Sequence, residues 1–381
     1  MKCKEFVGLP LLALLLALAP TSLASNTWYV NAVGGNDSND CKTPTTPCRT
    51  IGHAISLVSS GDSIIVAAAT YHENITISLS LRLIGSGART TIIDGGGKGT
   101  VVSVSNVTAN VVLSQLTLQN GTPSGIYNLG VLALLNSTVR NNYVYRSCVN
   151  YCFGAGAGIR NVGQGRLNVV NSTINNNSIH VYCSPQTYPH LCVAYGAGIS
   201  NEGGGQVEIT NSTLSGNSVS GKMNGQPFGC CGAIYMSLDN QTSLTISSST
   251  IAGNSATGSI GGMVGVTTII TDSILADNVG GNCSASMVSK GYNLSSDGTC
   301  NFSNTGDLNN HDPLLGPLQN NGGPTDTMAL LPGSPAIDAG NPSGCTDGQG
   351  HLLKTDQRGM PRPDKEDSVG CDMGAYESQS D

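Results

Sequence analysis

One short phrase recurs six times in this chain, and its spacing restricts the fold more than any other feature. The copies are Leu116-Thr117-Leu118, Ser137-Thr138-Val139, Ser172-Thr173-Ile174, Ser212-Thr213-Leu214, Ser249-Thr250-Ile251 and Ser273-Ile274-Leu275. Their second residues stand at 117, 138, 173, 213, 250 and 274, so the steps are 21, 35, 40, 37 and 24 residues. Self-similarity at such a period marks a stacked repeat architecture. Four residues before each second residue lie Leu113, Leu134, Val169, Ile209, Ile246 and Ile270; one residue after it lie Leu118, Val139, Ile174, Leu214, Ile251 and Leu275. Pairs such as Leu132/Leu134 and Val207/Ile209 alternate with period two, the pattern of a half-buried strand.

A second motif, Gly125-Ile126, Gly158-Ile159, Gly198-Ile199 and Ala233-Ile234, adds another short strand to each unit. Asn142, Asn177, Asn217, Asn254 and Asn278 each fall four residues past the phrase. Asn tolerates left-handed backbone and bonds its own main chain, which suits a recurring turn, and stacked turns let the amides form a ladder. Two or three short strands per turn of roughly 21–24 residues describe an all-β parallel β-helix solenoid. The longer steps carry roughly 11–19 extra residues, expected as loops.

Charged residues make up 11% of the 381-residue chain, against about 25% in typical domains. The net charge of −7 disfavours nucleic acid as a partner. Met1 to Ser25 reads as a signal peptide: Lys2 and Lys4, an apolar stretch from Leu9 to Ala19, then Ser22-Leu23-Ala24. No later segment is apolar enough for a membrane span. Export makes the twelve cysteines other than Cys3 a disulfide framework. Cys41/Cys48, Cys283/Cys300 and Cys345/Cys371 read as short-range pairs. Cys148, Cys152, Cys183, Cys192, Cys230 and Cys231 fall in three successive insertions, where bridges within or between insertions are both open. Adjacent Cys230 and Cys231 are expected to bond different partners.

The solenoid needs closed ends. Ile51, Ala54, Ile55 and Val58 share one helical face, so residues 26–110 read as an N-terminal cap helix followed by the first coils. Residues 111–310 are the repeats. From residue 311 the chain turns rich in Pro, Gly and Asp, and 311–381 form a loop-rich C-terminal module. Here Asp312-Pro313-Leu314-Leu315-Gly316, Asn321-Gly322-Gly323-Pro324-Thr325, Leu331-Pro332-Gly333-Ser334-Pro335-Ala336-Ile337-Asp338-Ala339-Gly340, Thr355-Asp356-Gln357-Arg358-Gly359 and Cys371-Asp372-Met373-Gly374-Ala375-Tyr376-Glu377 resemble the choice-of-anchor Q domain. That domain is a terminal module of bacterial surface proteins built on the pectin-lyase-like right-handed parallel β-helix. The resemblance implies that fold, export and a place at the cell surface.

Between residues 111 and 270 the acids are Glu202, Glu208 and Asp239, and the bases Arg140, Arg146, Arg160, Arg166 and Lys222. Such a charge-poor stretch favours a non-enzymatic scaffold that is adhesive or contacts extracellular polysaccharide or other cell-surface components. The alternative is a polysaccharide lyase or glycoside hydrolase with a divergent site, since one fold hosts many functions. Half of the 12 tyrosines, Tyr143, Tyr145, Tyr151, Tyr182, Tyr188 and Tyr195, fall in or beside the insertions. Tyr suits contact with sugar faces, and packing of the insertions on one another is the competing role. No cofactor is expected beyond a structural calcium ion held by Asp338, Asp356 and Asp372; in the competing reading Arg358 pairs with one of these acids to lock the module.

Overall fold

The computed structural model describes residues 25–149, 151–184, 191–237, 239, 241–265, 268–284, 287–365 and 370–379. Three long sheets run through them. The first has ten strands, from Thr27–Val30 to Val288–Ser289. The second has seven, from Ile75–Ile77 to Met263–Val264. The third has ten, from Ala69–Tyr71 to Leu308–Asn309. Within these sheets every pairing of named strands is parallel. The chain visits the first, third and second sheets in turn, once per coil: Asn110–Ser114, Thr117–Gln119, Ile126–Asn128, then Val131–Leu135 of the next coil. This is a parallel β-helix.

The apolar columns read from the sequence are the stacked core. Leu113, Leu134, Val169, Ile209, Ile246 and Ile270 follow one another in register along the first sheet. Leu118, Val139, Ile174, Leu214, Ile251 and Leu275 do so along the third. All twelve are buried. Each contributes roughly 1.5–3 kcal/mol relative to an exposed side chain.

The asparagine column divides its expected roles. Asn142, Asn177, Asn217, Asn254 and Asn278 are buried and form the ladder. Asn142 Nδ2 donates to Asn177 Oδ1, and the step repeats to Asn217, Asn254 and Asn278, each at 2.9 Å. The left-handed turn falls one residue earlier, on Asn120, Asn141, Asn176, Gly216, Gly253 and Asp277. A second left-handed column, Asn136, Asn171, Asn211, Ser248 and Asp272, precedes the phrase. Its serines form a further ladder, in which Ser137 N donates to Ser172 Oγ, Ser172 N to Ser212 Oγ and Ser212 N to Ser249 Oγ.

The N-terminal cap is the helix Ile51–Leu57, with Ile51 and Ala54 buried and Ile55 and Val58 packed at the core edge. Thr50 caps it, and the Glu73 carboxylate accepts from Ile51 N and Gly52 N. The long insertions differ from the expected loops. Tyr143–Cys148 with Tyr151–Ala155, and Ser178–Cys183 with Leu191–Tyr195, are strands that stack into two additional small sheets. Val144, Ile179, Val181 and Val219 give these sheets their own small core, because Ser178 to Cys183 alternates as faithfully as the main strands do.

The six disulfides are Cys41–Cys48, Cys148–Cys152, Cys183–Cys192, Cys230–Cys231, Cys283–Cys300 and Cys345–Cys371. The three short-range pairs form as read. Cys230 and Cys231 bond each other, against expectation. The preceding insertions close their own bridges, which leaves the adjacent cysteines one another among the described residues.

Candidate functional site

The inserted strands place their tyrosines by parity. Tyr143, Tyr145 and Ser147 alternate with the buried Val144, and they stand in register with Ser178, His180 and Tyr182 on the next insertion. Tyr143, Tyr145 and Tyr182 therefore share one outer face and are 38%, 56% and 40% exposed. The rings of Tyr145 and Tyr182 lie 6.0 Å apart. At the foot of this face an open groove of about 470 Å³ is lined by Asn141, Tyr143, Tyr145, Asn176, Ser178 and His180. Asn141 and Asn176 reach it because each occupies a left-handed turn, whose side chain projects outward.

The remaining tyrosines divide. Tyr151 opens its strand and is 60% exposed. Tyr195 packs: its ring stacks on Tyr235 at 3.8 Å and meets Phe153 edge-on at 5.7 Å. Burial, together with the nearby Glu202 charge, pushes the Tyr195 hydroxyl up. Tyr188 lies outside the described residues. Sequence reasoning missed the group around Tyr195, in which Arg160 sits 4.8 Å over Phe153 and binds Glu202 through two hydrogen bonds of 3.1 and 2.9 Å. The signal was there. Tyr127, Arg160, Ser200 and Tyr235 each follow the Ile of the second motif and stand in register on its sheet.

In the C-terminal segment, Arg358 Nε pairs with Asp356 Oδ2 at 2.7 Å, and the guanidinium lies 3.6 Å from the Tyr376 ring. The Asp356 carboxylate also accepts from Arg358 N, Met360 N and Glu377 N. Asp372 Oδ1 accepts from Asp338 N, and the Asp338 side chain is exposed. Among the described residues the sets spaced to hold a metal are Asp272/Cys345/Cys371 and Cys41/Cys48/His53, and each contains a closed disulfide. Asp338, Asp356 and Asp372 do not form such a set.

The same segment covers the recurring phrase. Thr173 Oγ1 donates to Asp326 O, Thr213 Oγ1 to Gln357 Oε1, and Thr250 Oγ1 accepts from Ala375 N. Leu330, Ala336 and Met373 pack on Ala252, Ile274 and Ala276 of the same outer face. That face of the third sheet is therefore closed over these coils, while the tyrosine face stays open.

No protein-family model matches this sequence, and no curated protein matches it. Among solved structures, the chain is similar to a GH136 lacto-N-biosidase from Eubacterium ramulus, at 11% identity and a TM-score of 0.32, over 71% of this chain and 64% of that one. It is also similar to a rhamnogalacturonan lyase, at 13% identity and a TM-score of 0.25, over 71% of this chain and 82% of that one. The chain thus spans 64% of the length of the biosidase. At these scores neither likeness bears on activity, and the β-helix rests on its own strand pairing.

Proposed function

We propose that the protein is an exported, non-enzymatic β-helix whose inserted sheet contacts extracellular carbohydrate. The observation that carries this reading is the open face on which Tyr143 and Tyr145 line a groove with Asn141, Asn176 and His180, and Tyr182 stands beside Tyr145. Aromatic rings give apolar platforms for the C–H faces of sugars, and the neighbouring amides and imidazole supply hydrogen bonds to hydroxyls. Export fits the six disulfides and the signal-like start, which lies almost wholly outside the described residues. No helix among the described residues is long and apolar enough to cross a membrane. We read residues 311–381 as a choice-of-anchor Q-like module; among the residues quoted in that resemblance, Asp356 and Arg358 form a buried pair and Glu377 is buried against Arg362.

Retention on a panel of insoluble extracellular polysaccharides tests the proposal. Wild-type protein is retained by at least one of them, and the triple variant Tyr143→Ala/Tyr145→Ala/Tyr182→Ala loses retention at least tenfold. Unchanged retention of the triple variant would reject the surface. Release of new reducing ends or unsaturated sugars, abolished by changing one acid or Arg, would instead establish the lyase or hydrolase.

A further inference from the structure

The outer face of the first sheet carries a different arrangement. Val131, Arg166 and Gln206 stand in register on three consecutive coils, and Ala133, Asn168 and Glu208 form the parallel row beside them. With strands roughly 4.8 Å apart and about 3.3 Å per residue, these six positions form a grid of roughly 10 by 7 Å. They line a groove of about 280 Å³, near the small end of the roughly 300–1,000 Å³ range of ligand pockets. Gln349, from the C-terminal segment, supplies a further wall. The adjoining Gly348 closes down on the next coil so tightly that a Cβ there would lie 2.7 Å from Thr245 Cγ2.

The polar ends in this groove are uncommitted. No described residue makes a side-chain hydrogen bond or ion pair with Arg166, Asn168, Gln206, Glu208 or the Gln349 amide, whereas Arg160 and Glu202 on the same two coils bind each other twice. In a stretch with so few charges, an Arg and a Glu converge here without pairing. The chemistry is also sorted by position. Val131 and Ala133 make an apolar end. Arg166 offers donors only, Glu208 acceptors only, and the three amides offer both. The floor is a sheet face whose backbone groups are used in the ladder, so a ligand meets side chains alone.

We propose that this groove binds a saccharide bearing an acetamido group. The acetamido methyl matches the apolar end, its carbonyl takes a donor from Arg166 or an amide, its N–H takes an acceptor such as Glu208, and ring hydroxyls meet the remaining amides. A peptide strand would need continuous backbone partners, which a sheet face does not offer. The assignment extends the carbohydrate reading to a second place on the molecule and rests on that reading for its ligand class.

Titration calorimetry with chitotriose and cellotriose tests it, because these two trisaccharides differ only in the acetamido groups. Chitotriose binds at least tenfold more tightly than cellotriose. Arg166→Ala and Glu208→Ala, both at surface positions, each weaken chitotriose at least tenfold. Equal binding of the two sugars, full binding by both groove variants, or tighter binding of tri-alanine than of chitotriose would each overturn the assignment. Absence of chitotriose binding alongside tyrosine-dependent polysaccharide retention overturns this site and leaves the tyrosine surface standing. Absence of both overturns both.

Discussion

Thr213 Oγ1 donates to Gln357 Oε1 at 2.6 Å across 144 residues of sequence, and both side chains are buried. The Gln357 amide nitrogen turns to the neighbouring coil and donates to Thr173 Oγ1, Thr325 Oγ1 and Asp326 O. One glutamine thus ties two copies of the recurring phrase to the C-terminal segment. Gln357→Leu strands the Thr213 hydroxyl, at about 1–3 kcal/mol, and takes one hydrogen bond each from the Thr173 and Thr325 hydroxyls and the Asp326 carbonyl, which keep other partners. Limited proteolysis is expected to cut residues 311–381 earlier in this variant while the solenoid persists. An unchanged digestion profile would refute the tie.

The asparagine ladder gives a position-specific contrast between neighbours. Asn177 donates through Nδ2 to Val139 O and Asn217 Oδ1, and its Oδ1 accepts from Asn142 N and Nδ2. Asn176 is exposed with φ at 54°. Asn177→Ala is expected to cost at least about 3 kcal/mol in chemical denaturation, since several buried groups lose partners at once. Asn176→Gly is expected to be near neutral because Gly accepts the left-handed turn without steric cost. Equal losses at the two positions would contradict the division of roles.

The solenoid was legible because its two signals, apolar parity and period, are local and repeat. Leu134, Val169 and Ile209 announce the core without reference to any distant residue. The inserted sheets were missed although Ser178-Ile179-His180-Val181 alternates, because an insertion inside a repeat reads first as a break in it. Nothing in the sequence near the threonines of the phrase marks them as buried. Their cover, Gln357 and Ala375, arrives from more than 120 residues downstream, and no period links the two. The groove holding Arg166 and Glu208 escaped for the same reason. Arg166 and Glu208 lie on neighbouring coils, 42 residues apart in sequence, and the groove's wall comes from Gln349.

A buried group of carboxylates at the joint sets the pH response. Burial pushes Glu377 up to about 8, the nearby Asp372 adding to the rise and Arg362 opposing it. Burial likewise raises Asp272 and Asp372 to about 6. Such groups hold protons in the folded protein that the unfolded chain releases, so their stabilisation is complete below the unfolded values near 4 and is lost as pH rises through 6 and 8. The thermal midpoint is expected to fall between pH 5 and pH 8.5, and Glu377→Gln to flatten the upper part of that slope. A midpoint that climbs over this range would show that Arg362, which sits 2.7 Å from Glu377, outweighs the burial.

The disulfides differ in what they restrain. Cys148–Cys152 closes four residues of chain and Cys345–Cys371 closes 26. Loop-closure entropy assigns about 2 kcal/mol to the first and about 3.5 kcal/mol to the second. The first bridge lies in the small sheet that carries the tyrosines, and the second holds the segment that covers the phrase, beside the buried Asp272. Replacing Cys148 and Cys152 together by Ser is therefore expected to leave the main unfolding transition nearly unchanged and to weaken polysaccharide retention by loosening the face around Tyr143 and Tyr145. Replacing Cys345 and Cys371 together is expected to lower the main transition and release the C-terminal segment to protease, with retention intact. Calorimetry and retention measured on both double variants separate the two effects; a reversed pattern would mean that the open face depends on the C-terminal cover, not on its own bridge.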